Sequence, residues 1–467
     1  MGLTINNSQT LSLLNIISNI AGKQNNLLTQ LTTGRMINKG SDNPAGLIAV
    51  SNMDAELTAI DAAISNGQRA DAMLSVADGA LAEVASLLDE IEGLAAESTS
   101  EAGLSAAELA ANQAQIDQAI SSIDRIIGTT SFNGKKLLDG SMAIRTTGVD
   151  TTKIKDVAVY SRDSNSTSTS ISVALTAAAT KASKTGYAVT SASTATSIAI
   201  TGKLGTATID IAAGENLSSV EQKIKDASAQ TGVTASTNGA NLSLLSTEYG
   251  DDSFIIVEHL SGDSTNYKDQ AKVSGSDAKV TVNGQNASVD GLEVNFNGGG
   301  VSLKFTLTED YNDGTVTGAE SFTVSDGGAT FQLGTDKTTR ATIGIAALSS
   351  GVLGQSDLGY LSSIRSGGDN SLTEDPSKAV SIIKKAVQQV ALARGRIGGF
   401  QKFQIKTSVN ALQTTKESLE AAKGNIQNVD YAQATSEMNR QQVLMNAAMG
   451  LLGIANSQSQ SILSLLR

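Results

Sequence analysis

The chain has 467 residues, with 17% charged and 3% aromatic residues, no cysteine, a single histidine and a formal net charge of −12. These totals exclude disulfides, thiolate metal sites, cysteine nucleophiles and multi-histidine metal sites, and they leave no basic footprint for nucleic acid. The low charge density also excludes a chain kept disordered by charge, and the length sets an expectation of two to four domains at roughly 150 residues each.

Residues 1–22 carry no charge, yet 10 of the 22 are Asn, Gln, Ser or Thr. That count defeats both a continuous signal-peptide core and a membrane-spanning helix. Leu13, Ile17, Ile20, Leu27 and Leu31, with Gln24 filling one position, set an apolar seam with the 3.5-residue period of coiled coils. Ser41-Asp42-Asn43-Pro44 then offers a helix cap with proline near the start. The seam Leu74, Ala77, Leu81, Val84, Leu88, Ile91 and Ala95 follows, then Leu109, Gln113, Ile116, Ile120, Ile123 and Ile127. Asn133-Gly134 and Asp139-Gly140 read as turns.

The texture changes over residues 141–365, which hold 11 of the 15 aromatic residues. Val280/Val282, Leu292/Val294/Phe296 and Val301/Leu303/Phe305/Leu307 alternate with polar residues, as half-buried strands do. One helix is expected from Leu217 to about Ala227. The Ser/Thr-rich stretch 161–200 reads as exposed strands or partly as linker. His259 is read as a surface or edge-strand residue, Gly298-Gly299-Gly300 as a hairpin, and Asp251-Asp252 as a solvated loop.

Helical texture returns after residue 366. Asp375-Pro376 caps a helix with the seam Val380, Ile383, Val387, Val390, Arg394 and Ile397. Ile405, Val409, Leu412, Lys416, Leu419, Lys423 and Ile426 continue it. The seams hold much Ala, Gln and Lys, so the isolated helices need partners. Residues 441–466 are again uncharged. Such ends are buried either in their own domain or by other molecules. In a crowded assembly, charges repeated by every subunit would be costly. By segment the net charge runs −9 for residues 1–140, −7 for 141–365 and +4 for 366–467, an acidic arm and a basic arm that favour each other's company. The fold class expected is α+β: a long α-helical coiled-coil or bundle core built from both chain ends, with an inserted, mainly β outer domain.

Several motifs add a resemblance. Leu31-Thr32-Thr33-Gly34-Arg35-Met36-Ile37-Asn38, continuing through Asp42-Asn43-Pro44-Ala45-Gly46, resembles the N-terminal signature of bacterial flagellins. Phe132-Asn133-Gly134-Lys135-Lys136-Leu137-Leu138-Asp139-Gly140 resembles that family's F-N-G-x-K-L-L element. Arg394 to Asn410 and the ending Ser461-Ile462-Leu463-Ser464-Leu465-Leu466 resemble its C-terminal helices, and Phe331-Gln332-Leu333-Gly334 its re-entry hairpin. The likeness covers about residues 1–140 and 330–467, with a looser one near 200–260.

This resemblance implies a structural filament subunit with no catalytic site and no cofactor, outside the cell in the bacterial flagellum. It implies export unfolded through the flagellar type III channel and self-assembly as a helical homopolymer. The implied partners are further copies of the chain, an export chaperone, and hook-associated and cap proteins, with no nucleic acid and no membrane insertion. It implies residues 1–43 with 427–467 as terminal helices of the filament core, disordered in the monomer. It implies 44–160 with 326–426 as a helical inner domain with a β-hairpin, and 161–325 as a surface-exposed outer domain. The self-assembly residues implied are Leu13, Ile17, Ile20, Leu451, Leu452, Ile462, Leu463 and Leu466 in the tube, with Arg35, Asn38, Asp42 and Gly46 at the junction. The segment matching the family's contact for the innate immune receptor Toll-like receptor five reads Glu90-Ile91-Glu92-Gly93-Leu94-Ala95. Glutamates stand where the family has arginines, and only Ile91, Leu94 and Ala95 remain, so weak receptor activation is expected. Two alternatives stay open: a low-copy hook–filament junction protein, and an enzyme housed in the outer domain. One histidine and no HExxH argue against a metallopeptidase version of the second.

Overall fold

A computed structural model describes residues 8–99, 105–188, 190–239 and 241–465. The helices are α1 (Ser8–Thr33), α2 (Pro44–Ser98), α3 (Ala106–Thr129), α4 (Leu217–Asp226), single-turn α5 (Ser228–Thr231) and α6 (Glu309–Asn312), then α7 (Pro376–Gly399), α8 (Thr407–Gln427) and α9 (Tyr431–Leu465). The chain forms two compact units, residues 1–65 with 408–467, and residues 66–407. Long helices flank a central region of several β-sheets, so the α+β class and the placement of its β insert hold.

In the larger unit the seam of α2 is fully enclosed. Leu74, Ala77, Leu81, Val84, Leu88, Ile91 and Ala95 are all 0% exposed. A buried Leu or Ile side chain contributes about 1.5–3 kcal/mol, so this stripe is the main apolar ballast of the helical part. Helix α3 begins with a reciprocal capping box, in which Ser105 N donates to Glu108 Oε2 (2.7 Å) and Glu108 N to Ser105 Oγ (3.3 Å). Its seam residue Gln113 is buried and fully used. It donates to the Ile364 carbonyl at 2.9 Å and accepts from Leu372 N at 2.9 Å. Three turns further on, Asp124 accepts from Ser350 N (2.8 Å) and pairs with Arg365 (2.6 Å). Polar residues in α3 thus pin the irregular segment that leads into α7.

Helix α7 starts as expected, with Asp375 accepting from Lys378 N at 2.9 Å and Pro376 at the first helical position. Its buried stripe is Ala379, Ile382, Ile383, Ala386, Val390 and Ile397, while Val380 and Val387 are only half-buried. The stripe is the broad face of a helix packed on more than one side, which recruits Ile382 and the small Ala386, and not a narrow two-helix seam. Between α7 and α8 the chain makes a seven-residue π-helix, Phe400–Lys406. The sequence gives a reason. Seam residues at 397, 401, 405 and 409 step by four three times in succession, one residue more than alternating steps of three and four. A wider turn absorbs that residue and keeps Gln401 and Ile405 facing inward. Ile405 is 1% exposed, and Gln401 donates to Asp71 Oδ1 at 3.0 Å. Across the same helices Arg394 meets Asp78 at 3.0 Å, a basic-arm cation on an acidic-arm carboxylate.

The β region has two cores. In the first, a five-stranded antiparallel sheet runs laterally Gln285–Asn286, Lys279–Val282, Thr169–Ala177, Glu320–Gly327, Ile144–Thr147. It shares a core with the four-stranded sheet Ser288–Asp290, Glu293–Gly298, Val301–Leu307, Ile154–Ser161, through Val173, Val282, Val294, Leu303, Phe305 and Phe322. The hairpin turns are those the sequence suggested. Asn283 and Gly284 have φ of 49° and 77°, and Gly299 and Gly300 have 59° and 78°. The second core lies within residues 181–274, where strands Lys181–Ala188, Asn241–Tyr249 and Val233–Asn238 form one sheet. Gln270–Ser274, Phe254–Ser261, Thr196–Thr201 and Thr206–Ile211 form another. Helix α4 buries Val220 and Ile224 there, as its spacing required. The Ser/Thr-rich stretch 161–200 is therefore mostly strand. His259 is not on an edge: its strand lies between two others, and its ring is half-buried with an Nδ1 that has no hydrogen-bond partner among the described residues.

Candidate assembly surface

The smaller unit pairs α1 with α9. Leu13, Ile17, Ile20, Gln24, Leu27 and Leu31 all turn away from solvent, Ile20 most completely at 9% exposed. The facing stripe of α9 is Ala434, Met438, Gln441, Met445, Ala448, Leu452 and Ala455, in unbroken steps of four and three. Large side chains on α1 thus meet mainly small or flexible ones on α9, a lean knobs-into-holes seam. One polar layer crosses it, Gln24 Nε2 donating to Gln442 Oε1 at 2.9 Å. The buried Gln441 beside it donates to Glu437 at 2.7 Å.

Below this pair the two connecting elbows are tied backbone to backbone. Met36 N donates to the Gln427 carbonyl (2.7 Å) and Val429 N to the Gly34 carbonyl (3.0 Å), bracketing an antiparallel bridge between Arg35 and Asn428. Gly34 ends α1 at a φ of 71°, a left-handed turn that glycine adopts without strain. Asn38 donates to the Arg35 carbonyl at 2.7 Å. Asp42 accepts from the backbone of Asn38 (3.0 Å) and Lys39 (2.9 Å), and those hydrogen bonds hold its carboxyl below the usual range. Asn43 caps α2 by accepting from Gly46 N at 2.9 Å. A Cβ on Gly46 would come within 2.6 Å of Ile37 Cδ1, so the buried glycine admits the Ile37 side chain beneath it. Further along, Lys416 pairs with Asp61 at 2.7 Å and Lys423 with Asp54.

What the unit leaves uncovered is as distinctive. Among the described residues, most exposed large apolar side chains belong to it, although it holds the smaller share of the chain. Leu11, Leu14, Ile16 and Leu28 stand on the outer face of α1. Val443, Leu444, Met449, Leu451 and Ile454 stand on that of α9, Val443 at 67% exposed. Ile48 adds to them at 63%. Isolated exposed apolar residues are ordinary, but this many on paired helices that carry little charge mark a surface for other protein.

The expected assembly residues thus fall into three groups. Leu13, Ile17, Ile20 and Leu452 belong to the intramolecular seam. Arg35, Asn38, Asp42 and Gly46 come together at the elbow, with Arg35 and Asp42 exposed and Gly46 buried. Leu451 alone lies on the outer face, at 55% exposed. Ile462 and Leu463 belong to α9 with side chains outside the described set, and Leu466 lies outside the described residues. The outer stripes of α1 and α9 are the addition. Their signal was a second apolar row offset from the first, which a search for one seam passes over. In the immune-receptor-like segment Ile91 and Ala95 are buried in α2, Leu94 is half-buried and Glu90 is exposed.

Comparison with known proteins agrees at both ends of the chain. The family model for the bacterial flagellin N-terminal helical region matches residues 5–143, and that for the C-terminal helical region matches 380–466. The flagellin hook IN motif matches 197–248, inside the second β core. A flagellin of Clostridium tyrobutyricum is 26% identical over 447 residues, 96% of each chain. A B-type flagellin of Pseudomonas aeruginosa is 26% identical across the whole of both chains. A putative flagellin of Bacillus subtilis is 30% identical over 140 residues, which is 30% of this chain and 82% of that one.

Proposed function

Since the chain belongs to the bacterial flagellins, we propose that it is the structural subunit of a flagellar filament, exported unfolded and polymerised outside the cell to serve swimming motility. The observation that carries this reading is the double use of α1 and α9, whose inner faces pair while their outer faces expose large apolar side chains and little charge. Such helices are marginal alone and gain their remaining burial from neighbouring copies. In this reading residues 1–43 with 427–467 form the filament core, 44–160 with 326–426 the inner helical domain with its hairpin, and 161–325 the outer domain facing solvent. The role is structural, with no catalytic site. Export draws on a chaperone, and the growing polymer meets hook-associated and cap proteins.

The test is deletion of Ser461–Arg467. Filament formation, followed by light scattering and electron microscopy, should be abolished, while circular dichroism shows the β cores intact. Normal filaments from the truncated chain would sink the reading. Abundance in sheared filaments separates a filament subunit from a low-copy junction protein. Purified monomer should activate innate immune reporter cells only weakly, because acidic residues replace the basic contact set at Glu90 and Glu92.

A further inference from the structure

A cavity lies wholly within the larger unit, between the strands Ile154–Ser161, Glu293–Gly298 and Val301–Leu307 on one side and α7 on the other, with residues 343–355 as its floor. It is a half-open cleft of about 240 Å³ whose walls are mainly apolar, with Val157, Ile345, Leu348, Leu353 and Ile397 among them and Leu392 half exposed beside them. An apolar cavity of about 150 Å³ already holds benzene, so the apolar part of this larger space has room for an alkyl chain.

The polar groups at the cavity are mostly spent. Gln389 accepts from Gly354 N at 2.8 Å and donates to its carbonyl at 2.6 Å. Lys304 and Lys385 both turn to Glu293, at 2.6 and 3.5 Å. Asp156 accepts from Ser356 at 3.2 Å. Arg396 differs. Its guanidinium lies on the Tyr160 ring, 3.2 Å from the centroid, and among the described residues no carboxylate pairs with it. Contact with the ring face and with the Tyr160 hydroxyl positions the guanidinium and leaves others of its five N–H donors for a planar, two-oxygen acceptor. Lys304, Lys385 and Arg396 outnumber Glu293 and Asp156, so the local field favours an anion.

We propose that this cavity binds a small monocarboxylate, with an unbranched apolar tail inside and its carboxylate on the edge of Arg396. The apolar space suits a tail of roughly six to eight carbons, larger than benzene by about the ratio of the two volumes. This site is separate from the assembly surface and stands or falls independently of the filament reading.

The experiment is calorimetric titration of the purified full-length chain with octanoate, hexanoate, octanol and octylammonium. Octanoate should bind saturably. Each methylene removed should weaken it about three- to fourfold, and octylammonium should not bind. Ala393→Phe, which fills the space, should abolish binding. Arg396→Gln should lower octanoate affinity about tenfold or more while leaving octanol unchanged. Thermal melts check that each variant folds, and Leu392→Glu serves if the Phe does not fit. No saturable heat up to millimolar octanoate, equal binding of octylammonium, or undiminished binding by a folded cavity-filled variant would each overturn the proposal.

Discussion

Helix α2 beyond residue 66 and the α1–α9 pair are built on the same 3.5-residue rule and end in opposite states. The α2 seam uses Leu, Val and Ile with two alanines, and every seam residue from Leu74 to Ala95 is sealed at 0% exposure. The α1–α9 seam sets Leu and Ile on one helix against Ala, Met and Gln on the other, and most of its positions remain half-exposed. Period alone therefore does not say how much a seam stabilises. The volume on both sides decides that, along with what is left on the back of each helix. In α2 the back is charged and finished, whereas in α1 and α9 it is apolar and unfinished.

The largest expected effect tests this contrast directly. Leu88→Ala should destabilise the larger unit by about 2–5 kcal/mol, read as a lower midpoint in urea. Ile20→Ala, in the lean seam, should move the same midpoint far less yet raise the concentration needed for polymerisation. Equal shifts from the two variants would erase the distinction drawn here. Next is Gly46→Ala. The new Cβ would press on Ile37 and Asn43, at a cost of about 1–3 kcal/mol in the elbow. Limited proteolysis near residues 34–46 should accelerate while the β cores stay resistant.

A third test uses pH on the second β core. Tyr187 and Tyr267 are buried in a T-shaped pair, with centroids 6.1 Å apart. Burial, and then the nearby charges of Asp263 and Glu215, push the Tyr267 phenol up to about 12. The folded state thus holds a proton that the unfolded chain releases near pH 10. Stability from this group is complete below about pH 10 and is lost as pH rises toward 12. Tyr267→Phe should flatten that alkaline fall at little cost near neutrality, because the buried hydroxyl has no hydrogen-bond partner among the described residues. Asp263 works at the other end of the scale. Hydrogen bonds from Ser193 and Asn266 hold its carboxyl well below the usual range. Its contribution is present above the ordinary carboxylate range and is lost on acidification. The smallest effect is expected for Lys416→Ala. Its exposed pair with Asp61 contributes little to stability and should fade with salt.

Legibility in the sequence followed the range of each interaction. The α2 and α3 seams were readable because periodicity is local, and the Asn283-Gly284 hairpin because the turn chemistry sits within two residues. The terminal residues Leu13, Ile17 and Ile20 were found for the same reason. The outer stripe of Val443 and Ile454 was harder to find, since exposure depends on what no other segment covers. The elbow tie was invisible. It joins residues almost four hundred positions apart through backbone groups, which leave no mark on side-chain choice. The broad stripe of α7 was partly misread because Ala386 is too small to register as an anchor.

That backbone tie has a consequence for how this chain can change over time. Arg35 and Asn428 meet through main-chain atoms, so most substitutions there leave the joint intact. Segment length carries the constraint. Gln24 and Gln442 meet only because 11 residues separate the first from its elbow and 14 separate the second from its own. Removing one residue from either interval would turn the helix beyond it by about 100° and slide it about 1.5 Å, carrying the whole seam off its partner. At the joint itself spelling is free to drift, but the count of residues from joint to seam is not.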